Sequence, residues 1–133
     1  MSLSSTLSST LSGYRADAIL DSIVDNSLCS VMVTQAAPQA PIVYVNDAFT
    51  ALTGYTPAEV IGKSPRLLQG PKTDHAVLDR LREDLSAGRV FEGQAVNYRR
   101  DCSEFDMFWR VFPVYGADEK PVYFVALQQE ARV

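Results

Sequence analysis

The sequence has little of what builds metal centres or covalent scaffolds. Two cysteines, Cys29 and Cys102, occur among 133 residues with no short spacing between them, which argues against a disulfide framework or a zinc knuckle. The single histidine, His75, cannot form a His-rich metal site. No apolar run approaches the length of a bilayer span, and none follows a basic start as in a signal peptide. Positive charge is not in excess either. The formal net charge of −4 argues against nucleic acid or an anionic membrane as the main partner. A local basic patch stays open through Arg66, Arg80, Arg82, Arg99 and Arg100. Catalytic signatures are equally scarce. There is no Gly-x-Ser-x-Gly, no phosphate-cradling Gly-rich loop, no Cys–His pair, and no inward carboxylate pair spaced for acid–base work. The expectation is a non-enzymatic protein of a reducing cytoplasm.

What is present is a core. With 47% hydrophobic residues in 133, one domain can be buried without staples or metals. Residues 1–12 read as a flexible lead, because Ser4-Ser5-Thr6-Leu7 repeats at once as Ser8-Ser9-Thr10-Leu11 and lacks the bulk to offset its ordering entropy. Residues 13–25 read as an N-terminal amphipathic helix. Ile19, Leu20, Ile23 and Val24 share one face, with Arg15, Asp17 and Asp21 elsewhere. Such a helix must dock on its own domain or on a second copy.

The domain proper spans residues 26–130. Residues 29–35 and 42–45 read as a strand pair around a Pro- and Ala-containing loop. Asn46 caps a short helix carrying Phe49 and Leu52, which Gly54 ends. Thr56-Pro57-Ala58-Glu59 is a capping box with proline at the first helical position. The longest helix, 74–87, has Val77, Leu78, Leu81 and Leu85 on one side. Residues 90–100, 104–115 and 121–129 then read as three strands joined by turns. Two strands, three helices and three strands make an α+β domain. Its five-stranded antiparallel sheet carries short helices on one face, and a pocket between the layers is the natural ligand site.

Within that frame, Gly62-Lys63-Ser64-Pro65-Arg66-Leu67-Leu68-Gln69-Gly70-Pro71 resembles the Gly-Arg-Asn-Cys-Arg-Phe-Leu-Gln-Gly-Pro signature of light-oxygen-voltage (LOV) domains, a branch of the PAS fold. Tyr44-Val45-Asn46-Asp47-Ala48-Phe49, Thr53-Gly54-Tyr55 and Asn97-Tyr98-Arg99-Arg100-Asp101 extend the similarity across residues 26–129. The resemblance implies flavin mononucleotide (FMN) held between helices and sheet. Arg66 and Gln69 match residues that meet its phosphate and ribityl chain, and Arg82 matches a second phosphate-binding arginine. Paired guanidiniums suit a dianion because each donates in a fork. Asn97 and Gln128 match residues on the polar edge of the flavin ring, which amides can serve as donor and acceptor.

The departures from that pattern concern the ring end. Pro65 stands where the resemblance places the adduct-forming cysteine, so no thiol–flavin bond can form there. Met107 stands where a second ring-contacting asparagine is expected, and its thioether offers almost no hydrogen bonding. Ser64 replaces an asparagine. Cys102 falls in a turn, and Cys29 has the strand parity opposite to Ser30, Met32 and Thr34. Neither thiol substitutes. His75 matches poorly the histidine by which some PAS domains hold heme, and reads as solvated.

On the strand over residues 104–115, Phe105, Met107, Trp109 and Val111 alternate with Phe108, Arg110, Phe112 and Val114. The first stripe reads as core, with Trp109 an electron donor to any neighbouring flavin. The second, joined by Tyr98, Tyr123, Val125 and Leu127, reads as an apolar face awaiting a partner. That partner is the N-terminal helix or a second subunit, making a homodimer; a separate signalling partner is also compatible. The expected function is a sensory module that binds FMN without a cysteinyl adduct and responds to light or redox state. Two alternatives stay open. One is a cofactor-free interaction module with its pocket filled by Met107, Trp109 and Leu68. The other is a module for an unrelated metabolite. With no output region after the last strand, the chain reads as an excised sensor or a short stand-alone protein.

Overall fold

Strict alternation is the clearest link from sequence to sheet. In the computed structural model, which describes residues 29–131, Phe105, Met107, Trp109 and Val111 are buried while Glu104, Asp106, Phe108 and Arg110 are exposed. A pleated strand with one face on a core requires that pattern. The expected lead (1–12) and N-terminal helix (13–25) lie outside the described residues.

The strands are β1 (Ser30–Gln35), β2 (Ile42–Val45), β3 (Phe91–Tyr98), β4 (Glu104–Tyr115) and β5 (Pro121–Glu130). They form one antiparallel sheet in the order β2-β1-β5-β4-β3. Between β2 and β3 come α1 (Asp47–Thr53), α2 (Pro57–Val60), a 3₁₀ turn (Pro65–Leu68) and α3 (His75–Ser86). The 3₁₀ turn falls where the sequence predicts a loop. The others sit within two residues of expectation.

Local signals explain the stops and starts. The Asn46 side chain accepts from Phe49 N at 3.1 Å to cap α1, and from Val31 N at 2.9 Å to hold the start of β1. Gly54 ends α1 with φ of 80°, a left-handed conformation that favours glycine. The capping box at Thr56 and Glu59 forms as read. Asp74 caps α3 by accepting from Ala76 N at 2.9 Å.

The two sheet faces bury different clusters. On the helix side, Met32, Phe105, Trp109 and Ala126 join Phe49, Val60 and Leu68 in the main core. On the other side, Val31, Val33, Tyr44 and Tyr123 cluster with Val114, Val125 and Leu127. Tyr98 does not join that second cluster. Its hydroxyl accepts from Lys72 N at 3.0 Å, and its ring lies so close to Gly70 that a Cβ there would fall 2.2 Å from Cε1. Glycine is required at that contact because the ring occupies the space.

Candidate functional site

Between the inner sheet face and the helical segment lies a cavity of about 210 Å³. Pro65, Gln69, Arg82, Asn97, Met107, Trp109 and Gln128 all line it. An adjoining depression of about 260 Å³ carries Arg66 and shares Pro65, Gln69, Leu81 and Arg82 with the cavity. The eight residues singled out from the sequence thus converge on one cleft, running from a buried amide end to an arginine-lined mouth.

The 3₁₀ turn explains one wall. Ser64 Oγ accepts from Arg66 N at 3.2 Å to start the turn, with Pro65 at its first position. Side chains at i and i+3 eclipse in this geometry, so Pro65 and Leu68 both face the cavity while Arg66 turns to the mouth. On α3, Leu78, Leu81 and Leu85 pave the opposite wall and Arg82 reaches the rim. Arg82 pairs with Asp79 at 2.7 Å, both side chains being largely exposed. Such surface pairs hold weakly, so the guanidinium can turn to another anion. Arg66 has no ion-pair partner among the described residues.

At the inner end, Gln128 is 1% exposed. Its Oε1 accepts from Ser30 Oγ at 3.0 Å, and its Nε2 points at the Met32 thioether, 4.0 Å away. Sulfur is a weak acceptor. Asn97, also buried, donates only a long bond of 3.4 Å to Ala95 O. No buried side-chain nitrogen or oxygen among the described residues lacks a partner outright, yet Gln128 Nε2 meets only a thioether and the Asn97 amide makes only one long bond. Trp109 is 5% exposed and packs on Phe91 with ring centres 5.0 Å apart at 54°.

Ser30, Met32 and Thr34 were not singled out as site residues. Their shared strand parity, once Gln128 is placed opposite Ser30 in the β1–β5 register, is the signal that finds them. Cys29 and Cys102 do not line the cavity, in keeping with the parity reading. Among the described residues no cluster of three or more His, Cys, Asp or Glu could hold a metal, and no helix is long and apolar enough to cross a membrane. Two carboxylates titrate low, both outside the cleft. The Thr56 backbone N–H and then Arg100 hold Glu59 below its ordinary range, and the Ser103 hydroxyl and backbone N–H do the same for Asp101.

A protein-family model described as PAS domain matches residues 28–130. Phototropin-2 of Oryza sativa subsp. japonica is 39% identical over 93 residues, 70% of this chain and 10% of the relative. Blue-light-activated histidine kinase 1 of Erythrobacter litoralis is 42% identical over 91 residues, 68% of this chain and 25% of the relative. The chain belongs to the PAS family, in its LOV branch. A solved LOV domain, whose mechanism was approached with a flavin analogue, superposes with a TM-score of 0.80 at 26% identity. That match covers 90% of this chain and 89% of the other. The PAS domain spans only about a tenth to a quarter of the two named relatives.

Proposed function

We propose that this PAS domain is a sensory module that binds FMN in the cleft and responds to light or redox state without a cysteinyl adduct. The observation that carries the reading is the cleft itself. It is an apolar slot with two arginines at its mouth and two poorly partnered amides at its buried end, and it has Pro65, without a thiol, in its wall. The residues fit the group. Arg66 and Arg82 would take the phosphate and Gln69 the ribityl chain, while Asn97 and Gln128 would meet the polar edge of the ring and Met107 would pack on it. A bound flavin supplies a ring that accepts an electron, on blue-light excitation or from a reductant. Trp109 is an oxidisable side chain buried at the cavity wall. Gln128 reads the change, because a rotated amide offers donor in place of acceptor. The response then passes along β5 to the outer sheet face, where a second copy of the chain and the N-terminal segment are the proposed recipients.

The light-responsive names of the phototropin and the histidine kinase support a sensor. A second reading rests on size. A cavity of about 210 Å³ falls below the roughly 300 Å³ at which ligand pockets begin, and Met107, Trp109 and Leu68 occupy its walls. A cofactor-free dimerisation module is the reading that smallness favours.

An absorption spectrum separates the two. Purified protein, alone and with added FMN, is measured before and after blue light. A structured blue band that bleaches in light while the thiol count stays constant is the expected result. A featureless spectrum after FMN addition would leave the interaction module standing.

A further inference from the structure

We infer that the β1–β2 loop is a gate on the cleft, held shut by a strained backbone, and that ligands pass between this loop and α3. The inference rests on the cleft being the ligand site, and the flavin reading supplies its first probe. Ala40 lines both the cavity and the depression outside it, as do Pro65 of the 3₁₀ turn and Leu78, Leu81 and Arg82 of α3. Ala37 and Gln39 border the depression. The loop and α3 therefore form two sides of a throat, and Ala40 stands in it.

The backbone is strained where it meets the throat. Gln39 and Ala40 have φ of 70° and 44°, in the left-handed region that residues other than glycine rarely adopt. Cys102 and Glu119 share this conformation among the described residues, and each stands alone in a hairpin turn. Pro38 and Gln39 fill the middle of a turn that Ala40 N closes on Ala37 O at 2.9 Å. A positive φ at its third place ordinarily calls for glycine or asparagine. The ends of the loop are anchored, with Ala36 N donating to Val122 O at 2.9 Å and Ile42 N to Lys63 O at 2.9 Å. Between those anchors, residues 37–40 make just the one internal hydrogen bond among the described residues. Swinging outward lets Gln39 and Ala40 return to negative φ, so relief of strain offsets part of the cost of opening. Such a gate rests shut, opens readily and needs no contact with the ligand.

The test varies the strain at Gln39. Gln39→Gly accepts the positive φ and favours the shut gate, whereas Gln39→Val opposes it and favours the open one. In stopped-flow fluorescence with FMN, association and release should both slow about fivefold in Gln39→Gly and both quicken about fivefold in Gln39→Val. Because the two rates move together, Kd stays near the parent value. Riboflavin should give the same ratios, since the gate acts on passage of the ring and not on the phosphate. A change in release alone would make Gln39 a ligand contact and overturn the gate. Flavin-free protein gives a second readout, because Trp109 is the single tryptophan and lies in the cavity wall. Acrylamide quenching of its fluorescence should fall in Gln39→Gly and rise in Gln39→Val, each by about twofold or more. Equal quenching in parent and variants also overturns the gate. A parent that takes up no flavin removes the flavin reading alone, since the quenching comparison still decides on the loop.

Discussion

Pro65 occupies a place where proline suits the fold. At the first position of a 3₁₀ turn its missing N–H has no partner to lose and its fixed φ is already the required one. Replacing it by cysteine is therefore expected to cost only about 0.4–1 kcal/mol in thermal or urea unfolding. The substitution sets a thiol in the cavity wall. In FMN-loaded Pro65→Cys, blue light should lower the free-thiol count by one, whereas the parent count stays constant. An unchanged count in the variant would separate Pro65 from the ring position. Arg66 and Arg82 act at the other end. Each charge-assisted bond to phosphate is worth about 1.5–3 kcal/mol in shelter and less at an exposed rim, so Arg66→Gln and Arg82→Gln should each weaken FMN about tenfold. Riboflavin, which has no phosphate, should bind the variants as it binds the parent in a fluorescence titration. Equal losses for both ligands would remove the arginines from the phosphate. The polar residues at both ends of this cleft were legible through the resemblance to LOV domains, which implies a place on the cofactor for each of them. Ser30 and Met32 were not, because only the pairing of β1 with β5 reveals what they face.

At the level of elements, one asparagine connects two of them. Asn46 caps α1 and fastens β1 through backbone N–H groups that sit in the core. Asn46→Ala removes the one oxygen that accepts from both buried donors, and a loss of about 3 kcal/mol is expected in chemical unfolding; a loss below about 1 kcal/mol would mean that water replaces it. The start of α2 is pH-sensitive. Because Glu59 titrates below its ordinary value of 4.5 in the folded protein, its contribution is complete above that value. It is lost as pH falls through the lower folded value. Glu59→Gln should flatten this acid limb of the stability profile and leave neutral-pH unfolding cooperative; an unchanged limb would assign it to other carboxylates. Helices and strands were readable because capping residues and alternation are local signals. The 3₁₀ turn was not, since Pro65–Leu68 is one turn long and too short for periodicity to register.

For the molecule as a whole, a single sheet serves two surfaces of different character. The inner face supports the cleft, and the outer one gathers buried Val31 and Val33 with half-buried Val125 and Leu127. Leu127→Glu places a charge there, and light scattering after gel filtration should show the proposed dimer converted to monomer. An unchanged mass would place the contact elsewhere. Sheet order has a consequence of its own. Because β1 and β5 are neighbours and Ser30 pairs with Gln128, the chain enters β1 and leaves β5 about one strand spacing apart, roughly 5 Å. A unit with that geometry can be spliced into a surface loop of a host protein without prising the loop open. It should equally tolerate circular permutation, with a short linker across that gap and new termini at the turn around Gly116 and Lys120.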